Sequence, residues 1–497
     1  MIIEDDEHVI HGPAPLQPLP NLSLGKLVDD SLLANPNKHP ALVDAATGEF
    51  ISYREILGKT CSLAESLLKN GYGRNTVISI CSENNLQSCI PVLSGLYIGA
   101  TVAPFNQNYT ESESIHSLNI CKPKVIFCSK AVCRKFINLK NNKLNYIEKV
   151  IVIDSDEEVS GVETLNNFIF KSLKGRPMSY RFSVAEFDAD KQIAFVMCSS
   201  GTTGLPKGVM QTHTNVMVRY MHTTKIAPQI SPRSQNCSVV ILVVFPDKSP
   251  LVEKYDLSCV KELISGAAPL SKDTEETVKR RLNIPAIRQI YGLTETILSV
   301  IMIEIGDTKH GSSGKVVTYM SCKVRDPDTG KSLGPGLVGE LCFKGPMVMK
   351  GYYGNEEATR NSFTSDGWLL TGDLGYYDEN QYFYIVDRLK ELIKYKAFQV
   401  APAELEAILL GNPKIKDVGV VGVPNEEAGE LPLAFVVKKE GADLTEKEII
   451  DFVAERVSSQ KRLRVGVIFV SVIPKNPSGK ILRRELRKML TSYKSKL

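Results

Sequence analysis

The stretch CSSGTTGLPKG, residues 198–208, combines glycines, hydroxyl side chains and one lysine in a pattern that suits an anion. The backbone N–H groups and hydroxyls of such a loop can bind the β- and γ-phosphates of a nucleotide, and Lys207 supplies the counter-charge. The residues that we expect to contact phosphate are Ser199, Ser200, Gly201, Thr202, Thr203, Gly204 and Lys207. This phosphate loop is not a Walker loop, because Pro206 precedes the lysine and Gly208 replaces the magnesium-binding hydroxyl. The alternative interpretation is a solvent-exposed loop that caps a helix.

The segments around the phosphate loop alternate between short β-rich runs and helical runs. TVISICSEN, TVAPFN, KVIFCS and KVIVID are typical of buried strands, and residues 86–100 have helical spacing. This alternation predicts an α/β domain with a largely parallel sheet. IAFVMC at 193–198 is a further predicted strand, and the phosphate loop follows its carboxyl end. Open α/β sheets bind ligands at that edge.

The sequence changes character after residue 339. Short aromatic-rich segments separated by glycine and Asp-Glu-Asn turns predict an antiparallel β subdomain at about 315–386. The cation-rich run at 387–396 indicates a domain boundary, and strands and helices beyond it predict a compact α+β module. We therefore predict a large N-terminal α/β domain at 1–386 and a small C-terminal α+β domain at 387–497.

Length and composition limit the classes of protein that the chain can represent. At 497 residues, 43% hydrophobic and 23% charged, it is typical of a soluble globular protein with at least two domains. A net charge of +4 gives no reason to expect nucleic acid as a partner. Eleven scattered cysteines without a Cys-x-x-Cys pair indicate reduced intracellular thiols, neither disulfides nor a zinc site. The sequence shows no signal peptide and no apolar run of membrane-spanning length.

Five further motifs follow the phosphate loop in a fixed order. They are SGAAPL at 265–270, YGLTE at 291–295, TGD at 371–373, VDRLKELIKYKAFQVAPAELE at 386–406 and PKNPSGKILRRELR at 474–487. Together with the loop, the set resembles the acyl-adenylate-forming enzymes: acyl-CoA synthetases, 4-coumarate–CoA ligases and beetle luciferases. The resemblance implies two half-reactions, in which a small carboxylic acid attacks Mg-ATP to give acyl-AMP and CoA then takes the acyl group. ATP, Mg²⁺ and coenzyme A are the cofactors and co-substrates that it implies.

The resemblance also assigns roles to individual residues. Lys480 matches the lysine that bridges the carboxylate and the α-phosphate, where the approach of two anions needs positive charge. Thr294 and Glu295 match the pair beside the α-phosphate and the magnesium ion, and Asp373 matches the carboxylate that accepts hydrogen bonds from both ribose hydroxyls. The alternatives are a lysine of a basic helix, a carboxylate at a helix start and an ordinary turn aspartate.

Further positions match nucleotide and CoA contacts of the family. The remaining nucleotide-binding residues implied are Ala267, Ala268, Pro269, Gln289, Tyr291, Gly292, Arg388, Lys390, Lys394 and Gln399. The three residues 267–269 would form a shelf for adenine. In the family the C-terminal domain rotates after adenylation about a hinge near Asp387, which removes Lys480. Lys394 then faces CoA with Lys396 and Ala397, the implied CoA-binding positions.

The chain departs from the family in the interval between the phosphate loop and SGAAPL. Gln211 to Val260 is about half as long as the family interval, and an element of the acyl pocket with its histidine is absent. The break is expected near Val244 to Pro250. A skipped exon, a gene-model error and a real deletion fit equally well. The acyl substrate is not predicted, because this interval forms the pocket wall.

Three single positions also differ from the family. Ile290 replaces a glycine before the YGLTE tyrosine, and its branched side chain is expected to crowd the adenylate. Ala397 replaces a glycine where CoA passes. Leu298 stands where luminescent members tend to carry a small hydroxyl residue, which counts against light emission.

These observations lead to one favoured function and two alternatives. The favoured function is an ATP-dependent acid–CoA ligase for a fatty or aromatic acid. The alternatives are a luciferase-like monooxygenase that acts through an adenylate and a catalytically inactive nucleotide-binding isoform. The tripeptide Ser495-Lys496-Leu497 predicts recognition by the peroxisomal import receptor and hence a peroxisomal location. The alternative for the tripeptide is a chance sequence on a basic tail.

Overall fold

The computed structural model describes most of the chain. The described residues are 8–15, 18–35, 40–159, 161–199, 206–226, 237–240, 253–254, 256–258, 260–266, 270, 272–284, 287–304, 306–307, 309–389, 391–396, 398–425, 427–457, 459–475 and 479–494. The predicted break near Val244 to Pro250 and the tripeptide Ser495-Lys496-Leu497 lie outside the described residues.

Helices occur in both the large and the small part of the chain. The α-helices are α1 (Leu24–Ala34), α2 (Tyr53–Lys69), α3 (Cys89–Tyr97), α4 (Glu111–Cys121), α5 (Cys133–Asn142), α6 (Leu165–Leu173), α7 (His213–Ile226), α8 (Lys272–Leu282), α9 (Glu356–Arg360), α10 (Pro402–Leu410), α11 (Glu446–Ala454) and α12 (Arg483–Lys494). Single 3₁₀ turns span Thr294–Thr296 and Ser459–Lys461.

Strands are spread over the whole chain. Those of the first half are β1 (Ile10–His11), β2 (Pro40–Val43), β3 (Phe50–Ser52), β4 (Val77–Cys81), β5 (Thr101–Pro104), β6 (Val125–Cys128), β7 (Lys149–Val152), β8 (Ile193–Cys198), β9 (Gly208–Thr212) and β10 (Cys237–Val240). Those that follow are β11 (Val260–Ser265), β12 (Ile287–Leu293), β13 (Leu298–Met302), β14 (Lys315–Val316), β15 (Ser321–Arg325), β16 (Gly339–Lys344), β17 (Gly351–Tyr352), β18 (Leu369–Tyr377) and β19 (Phe383–Arg388). The last group is β20 (Ile393–Tyr395), β21 (Phe398–Val400), β22 (Ile415–Asn425), β23 (Gly429–Lys438) and β24 (Gly466–Phe469).

The first sheet contains seven strands in the order β17-β9-β8-β5-β4-β6-β7 within the described part of the chain. Its centre is parallel, whereas β9 pairs antiparallel with both β8 and β17. All five residues of β4 are buried, as expected for a parallel strand with helices on both faces. The strands predicted from the alternating pattern are confirmed as β4 to β8, and the predicted helix is confirmed as α3.

The second sheet contains five strands among the described residues, in the order β10-β11-β12-β13-β14. The first three are parallel and the last two join antiparallel. Residues 241–259 are all that connects β10 to β11. A parallel connection needs a dozen or more residues, and a complete additional βαβ unit takes about 30 or more. The connection thus has the length of one crossover and is shorter than such an additional unit.

An antiparallel sheet follows, with the order β1-β15-β16-β18-β19. The predicted antiparallel β subdomain is confirmed as an element, and its sheet also takes in β1 from near the start of the chain. The register between β18 and β19 aligns Asp373 with Arg388. This alignment brings two residues of different sequence motifs to the same edge.

The C-terminal part forms a separate α+β unit. Its sheet has the order β21-β20-β23-β22, with β24 parallel to β23, and α10, α11 and α12 pack against it. Its two apolar clusters draw their buried residues from position 393 onward. The predicted fold class, a large N-terminal α/β domain with a small C-terminal α+β domain, is confirmed. The boundary at 386/387 stays a prediction. No helix in the described part of the chain is long and apolar enough to cross a membrane.

Candidate functional site

The ribose side of the candidate site, defined here as Asp373, Tyr291, Arg388 and Lys480, centres on a buried carboxylate. The Tyr291 hydroxyl donates a hydrogen bond of 2.8 Å to Oδ2 of Asp373. Nε of Arg388 lies 3.1 Å from Oδ1 of the same carboxylate. Tyr291 comes from β12 of the second sheet and Asp373 from β18 of the antiparallel sheet, so the two sheets meet at this carboxylate.

One oxygen of Asp373 accepts no aligned hydrogen bond from the described residues. Only 3% of the residue is exposed, and burial raises the pKa of its carboxyl group while Arg388 opposes the rise. In the described part of the chain, Oδ1 accepts no aligned hydrogen bond despite the ion pair with Arg388. A buried carboxylate oxygen of this kind fits a hydroxyl donor such as a ribose hydroxyl. The residues present therefore fit a nucleotide.

Lys480 reaches the ribose side from the C-terminal unit. It directly follows Gly479, which adopts a φ of 82°, and it lies close enough to Asp373 for each to influence the other's pKa. Burial lowers the pKa of Lys480 most, Arg388 lowers it further, and the carboxylates of Glu391 and Asp373 oppose the change. The structure thus brings together the lysine, arginine and aspartate of three separate motifs.

The phosphate side of the site is defined here as Lys207, Tyr352 and Glu295. Tyr352 contacts both of the other residues. The Tyr352 hydroxyl donates a hydrogen bond of 2.8 Å to Oε1 of Glu295. Nζ of Lys207 lies 4.5 Å from the centre of the Tyr352 ring, within the range of a cation–π contact. Strand β17 places the ring there by pairing Tyr352 with Val209 of β9, just after the phosphate loop.

Sequence reasoning did not identify Tyr352 as a site residue. The GYY stretch at 351–353 indicated a strand and nothing more. A signal was present in the glycine before the tyrosine, because Gly351 has a φ of 145° and a side chain there would lie 2.7 Å from Thr359. The role of the tyrosine nevertheless depends on its strand register with β9.

Thr294 and Glu295 occupy a 3₁₀ turn that follows β12 directly. Nε2 of Gln211 donates a hydrogen bond of 2.9 Å to the carbonyl of Thr294, and the backbone N–H of Met349 donates one of 2.8 Å to the carbonyl of Glu295. These contacts come from β9 and from the segment before β17. The turn is therefore held on both sides by elements of the first sheet.

Glu295 fits a magnesium ion as a single protein ligand. Among the described residues no group of three or more His, Cys, Asp or Glu side chains could hold a metal ion. Mg²⁺ usually binds through one or two carboxylates, phosphate oxygens and water. One glutamate beside the phosphate loop therefore matches magnesium bound with a nucleotide, and it does not match a metal held by protein alone.

The base of the phosphate loop is closed by two hydrogen bonds. The Ser199 N–H donates to the Lys207 carbonyl at 2.9 Å, and Nε2 of His116 on α4 donates to the Pro206 carbonyl at 2.9 Å. His116 is a contact that sequence reasoning missed, and no motif marks it. The loop residues Ser200, Gly201, Thr202, Thr203 and Gly204 lie outside the described residues.

The other nucleotide positions have different surroundings. Nε2 of Gln289 donates a hydrogen bond of 3.2 Å to Glu275 on α8, so the structure holds this side chain against a helix. A side chain at Gly292 would lie 1.4 Å from the carbonyl oxygen of Leu298, so this close approach requires glycine. Lys394 and Lys396 are exposed, whereas Lys480 is half-buried. Ala267, Ala268, Pro269, Lys390, Ala397 and the side chain of Gln399 lie outside the described residues.

Ile290 lies against the start of the SGAAPL motif. A side-chain carbon added at Gly266 would be only 2.7 Å from Cγ1 of Ile290. The branched side chain therefore fills the space above Gly266, next to the predicted adenine shelf. Leu298, the other apolar departure, is 67% exposed and has a φ of 72°.

Comparison with known proteins agrees with the motif order. A family model described as AMP-binding enzyme matches residues 29–246 and 238–353, and one described as AMP-binding enzyme C-terminal domain matches 404–480. The chain is 43% identical to a luciferin 4-monooxygenase of Photuris pensylvanica, over 99% of this chain and 100% of that protein. It is 35% identical to peroxisomal OPC-8:0-CoA ligase 1 of Arabidopsis thaliana, over 97% and 95%. A solved structure of a red-emitting luciferase from Phrixothrix hirtus has a TM-score of 0.72 at 36% identity, over 98% and 99%.

These matches also bear on the shortened interval. The alignment with the Photuris protein runs over 545 residues, more than the 497 of this chain, so some positions have no counterpart here. The larger family model matches in two stretches that overlap at 238–246, beside the predicted break. Because the family models match both parts of the chain and the fold agrees over nearly its whole length, the chain belongs to the AMP-binding enzymes, the family of acyl-adenylate-forming enzymes.

Proposed function

We propose that the chain is an ATP-dependent carboxylate–CoA ligase that acts on a fatty or aromatic acid. The observation that carries the proposal is the meeting of Lys480, Arg388 and Tyr291 at Asp373, whose Oδ1 has no aligned hydrogen bond in the described part of the chain. This arrangement suits a ribose held by the aspartate with a phosphate ester beside the lysine.

In the first half-reaction, an oxygen of the substrate carboxylate attacks the α-phosphorus of ATP. The new bond joins the acyl oxygen to phosphorus, and pyrophosphate leaves as the α–β phosphoanhydride bond breaks. Both reactants are anions, so the ammonium group of Lys480 between them stabilises the transition state. Asp373 orients the ribose. Lys207 supplies positive charge to the phosphates, and Glu295 would hold Mg²⁺ beside them.

In the second half-reaction, the thiolate of CoA attacks the acyl carbon and AMP leaves. The proposed hinge at Asp387 is held in the structure by two backbone contacts, because its carboxylate accepts hydrogen bonds from the N–H groups of Arg388 and Ala403 at 2.7 and 3.0 Å. Rotation about this point would withdraw Lys480. Lys394 and Lys396, exposed in the present arrangement, would then face CoA.

Two other functions are distinguishable from the ligase. The 43% identity to a luciferin 4-monooxygenase favours a luciferase-like oxidation of an adenylate, whereas the exposed Leu298 counts against it. The shortened interval favours an inactive nucleotide-binding isoform. The interval is expected to form the wall of the acyl pocket, and none of the predicted nucleotide-contacting residues lies within 241–259.

The deciding experiment measures acid-dependent exchange between pyrophosphate and ATP with a panel of fatty and cinnamic acids. Thioester formation with CoA and light emission with beetle luciferin are measured in parallel. Exchange and thioester formation without light are expected for the ligase. Light emission would replace it with the monooxygenase, and nucleotide binding without exchange would replace it with the inactive isoform.

The proposed location is the peroxisome. It is supported by the Ser495-Lys496-Leu497 tripeptide and by a relative at 35% identity whose name calls it peroxisomal. Removing the tripeptide is expected to leave the protein diffuse in the cytosol without changing its melting temperature. Punctate localisation after the removal would show that another signal directs the protein.

A further inference from the structure

A buried arginine in the C-terminal unit contacts two carboxylates at once. Nη2 of Arg483 donates hydrogen bonds of 2.8 Å to both oxygens of Glu406, and Nη1 donates one of 2.7 Å to Oε2 of Glu391. Nε donates a weaker bond of 3.2 Å to the carbonyl of Val420. Only 8% of Arg483 is exposed. These hydrogen bonds direct Nε, Nη1 and Nη2 of the guanidinium group at partners in the C-terminal unit.

The partners of Arg483 belong to segments that are far apart in sequence. Glu391 lies just after the proposed hinge, Glu406 lies on α10, and Arg483 opens α12 only three residues after Lys480. A hydrogen bond from the Leu482 N–H to the Pro474 carbonyl at 2.9 Å closes the loop that carries Lys480. Arg483 therefore connects that loop to the hinge segment.

The electrostatics show why this connection matters to the lysine. Glu391 acts on Lys480 as well as on Arg483, because its carboxylate raises the pKa of the lysine against the lowering by burial and Arg388. Burial raises the pKa of Glu406 to about 7, and Arg483 opposes the rise, so the arginine stabilises the charged form of this glutamate. Without Arg483, Glu391 would lose its 2.7 Å ion pair while its attraction to Lys480 remains.

We propose that Arg483 is a positioning residue that pairs with Glu391 and thereby keeps this carboxylate from pairing with Lys480, so that the lysine is presented to the reacting phosphate. The proposal rests on the function proposed above, in which Lys480 acts in adenylation. Arg483 itself contacts neither nucleotide nor acid. Its effect is to occupy the carboxylate that would otherwise pair with the lysine and draw it from the site.

The test uses the full chain with Arg483→Met, and with Arg483→Met combined with Glu391→Gln. Pyrophosphate exchange is expected to fall about 10²-fold in the single variant, the cost of misplacing a reacting group by about 1 Å. Thioester formation from supplied acyl-AMP should stay near the wild-type rate. Adding Glu391→Gln should restore most of the exchange, since the competing carboxylate is gone, and a merely structural arginine would give no such recovery.

Two further variants protect the test against simple unfolding. Arg483→Lys keeps a positive charge beside Glu406 but cannot reach both glutamates, so it should show the same bias at smaller size. Lys461→Met breaks an exposed ion pair of 2.7 Å with Glu404 on the same helix as Glu406, and it should leave both half-reactions unchanged. Melting temperatures identify any variant that fails to fold.

A second measurement does not depend on activity. The rate at which an amine-reactive reagent labels Lys480, followed by mass spectrometry, should fall several-fold in Arg483→Met and recover in the double variant. If wild type shows no exchange with any acid, the ligase proposal fails while the labelling still tests the positioning role. Equal losses in both half-reactions, or no recovery of exchange and labelling in the double variant, would overturn the inference.

Discussion

The first and second sheets differ in how completely the chain builds them. Within the described part of the chain, the first has seven strands with helices on its faces, and large apolar clusters pack against it. The second has five strands in the described residues, and the cluster around β11 and α8 contains six buried residues, Val260 among them. The family match is interrupted beside β10, in the second sheet. The comparison places the interruption of the family match in one sheet, while the elements that carry Lys207, Glu295 and Asp373 are present.

The motifs survive the shortening because of where they lie. Lys207 lies between β8 and β9 of the first sheet, Glu295 follows β12, and Asp373 belongs to the antiparallel sheet. The connection between β10 and β11 supplies none of them. We predict that the shortened connection reduces apolar support and removes the wall of the acyl pocket, so stability and acid binding are expected to suffer before nucleotide binding.

Restoring the interval is the change with the largest expected effect. A related family member's segment inserted between Val244 and Pro250 should raise both solubility and acid-dependent pyrophosphate exchange above those of the 497-residue chain. Each buried large apolar side chain contributes about 1.5–3 kcal/mol, and a whole domain is stable by only about 5–15 kcal/mol. Side-by-side purification and exchange assays of the two forms provide the measurement. Equal solubility and exchange in the two forms would contradict the expected effect of the short interval in the second sheet.

Substitution of Lys480 examines the part of the site that the shortening leaves intact. Lys480→Ala should reduce adenylation on the order of 10²–10³-fold, because positive charge is lost where two anions meet. Thioester formation from supplied acyl-AMP should continue, and Lys394→Ala should show the opposite bias. The two half-reactions are measured separately in the restored protein. Equal loss in both would contradict the assignment of the lysine to the first step alone.

A buried histidine makes the stability of the first sheet depend on pH. Nδ1 of His213 accepts a hydrogen bond from the Leu24 N–H, and burial lowers its pKa from 6.5 to about 4. Between these values the unfolded chain binds a proton that the folded chain does not, so stability is lost as pH falls from about 6.5 to 4. The loss amounts to about 3 kcal/mol.

Denaturant unfolding at several pH values, followed for wild type and His213→Asn, measures this loss. The asparagine can accept the hydrogen bond from Leu24 but does not titrate, so its stability curve should be flatter below pH 6.5. Parallel curves for the two proteins would show that other groups cause the pH dependence.

Tyr352 gives the smallest predicted effect. Tyr352→Phe removes the hydrogen bond to Glu295 but keeps the ring beside Lys207, and should weaken ATP use by about 1 kcal/mol, or several-fold in KM. Tyr352→Leu removes both contacts and should cost more. Kinetics with ATP as the varied substrate separate the two contributions. Identical kinetics for phenylalanine and leucine would exclude a role for the ring.

Much of the fold was open to prediction because its signals are local. Strands such as β4 and β8 are contiguous apolar runs, and a helix such as α2 begins at Ser52 with a capping box to Glu55. The order of short motifs was also sufficient to indicate the family, since each motif is one contiguous segment of the chain. Information of this kind needs no knowledge of which strands pair.

The contacts within the site were not open to prediction in the same way. Tyr352 meets Glu295 and Lys207 only because β17 pairs with β9, and Tyr291 meets Asp373 only because two sheets adjoin. The sequence by itself determined which chemical groups are present, the order of the motifs and the alternation of strands and helices. The tertiary structure alone decided which side chains share a carboxylate, because strand register and sheet packing join residues separated by scores of positions, and no local pattern records that distance.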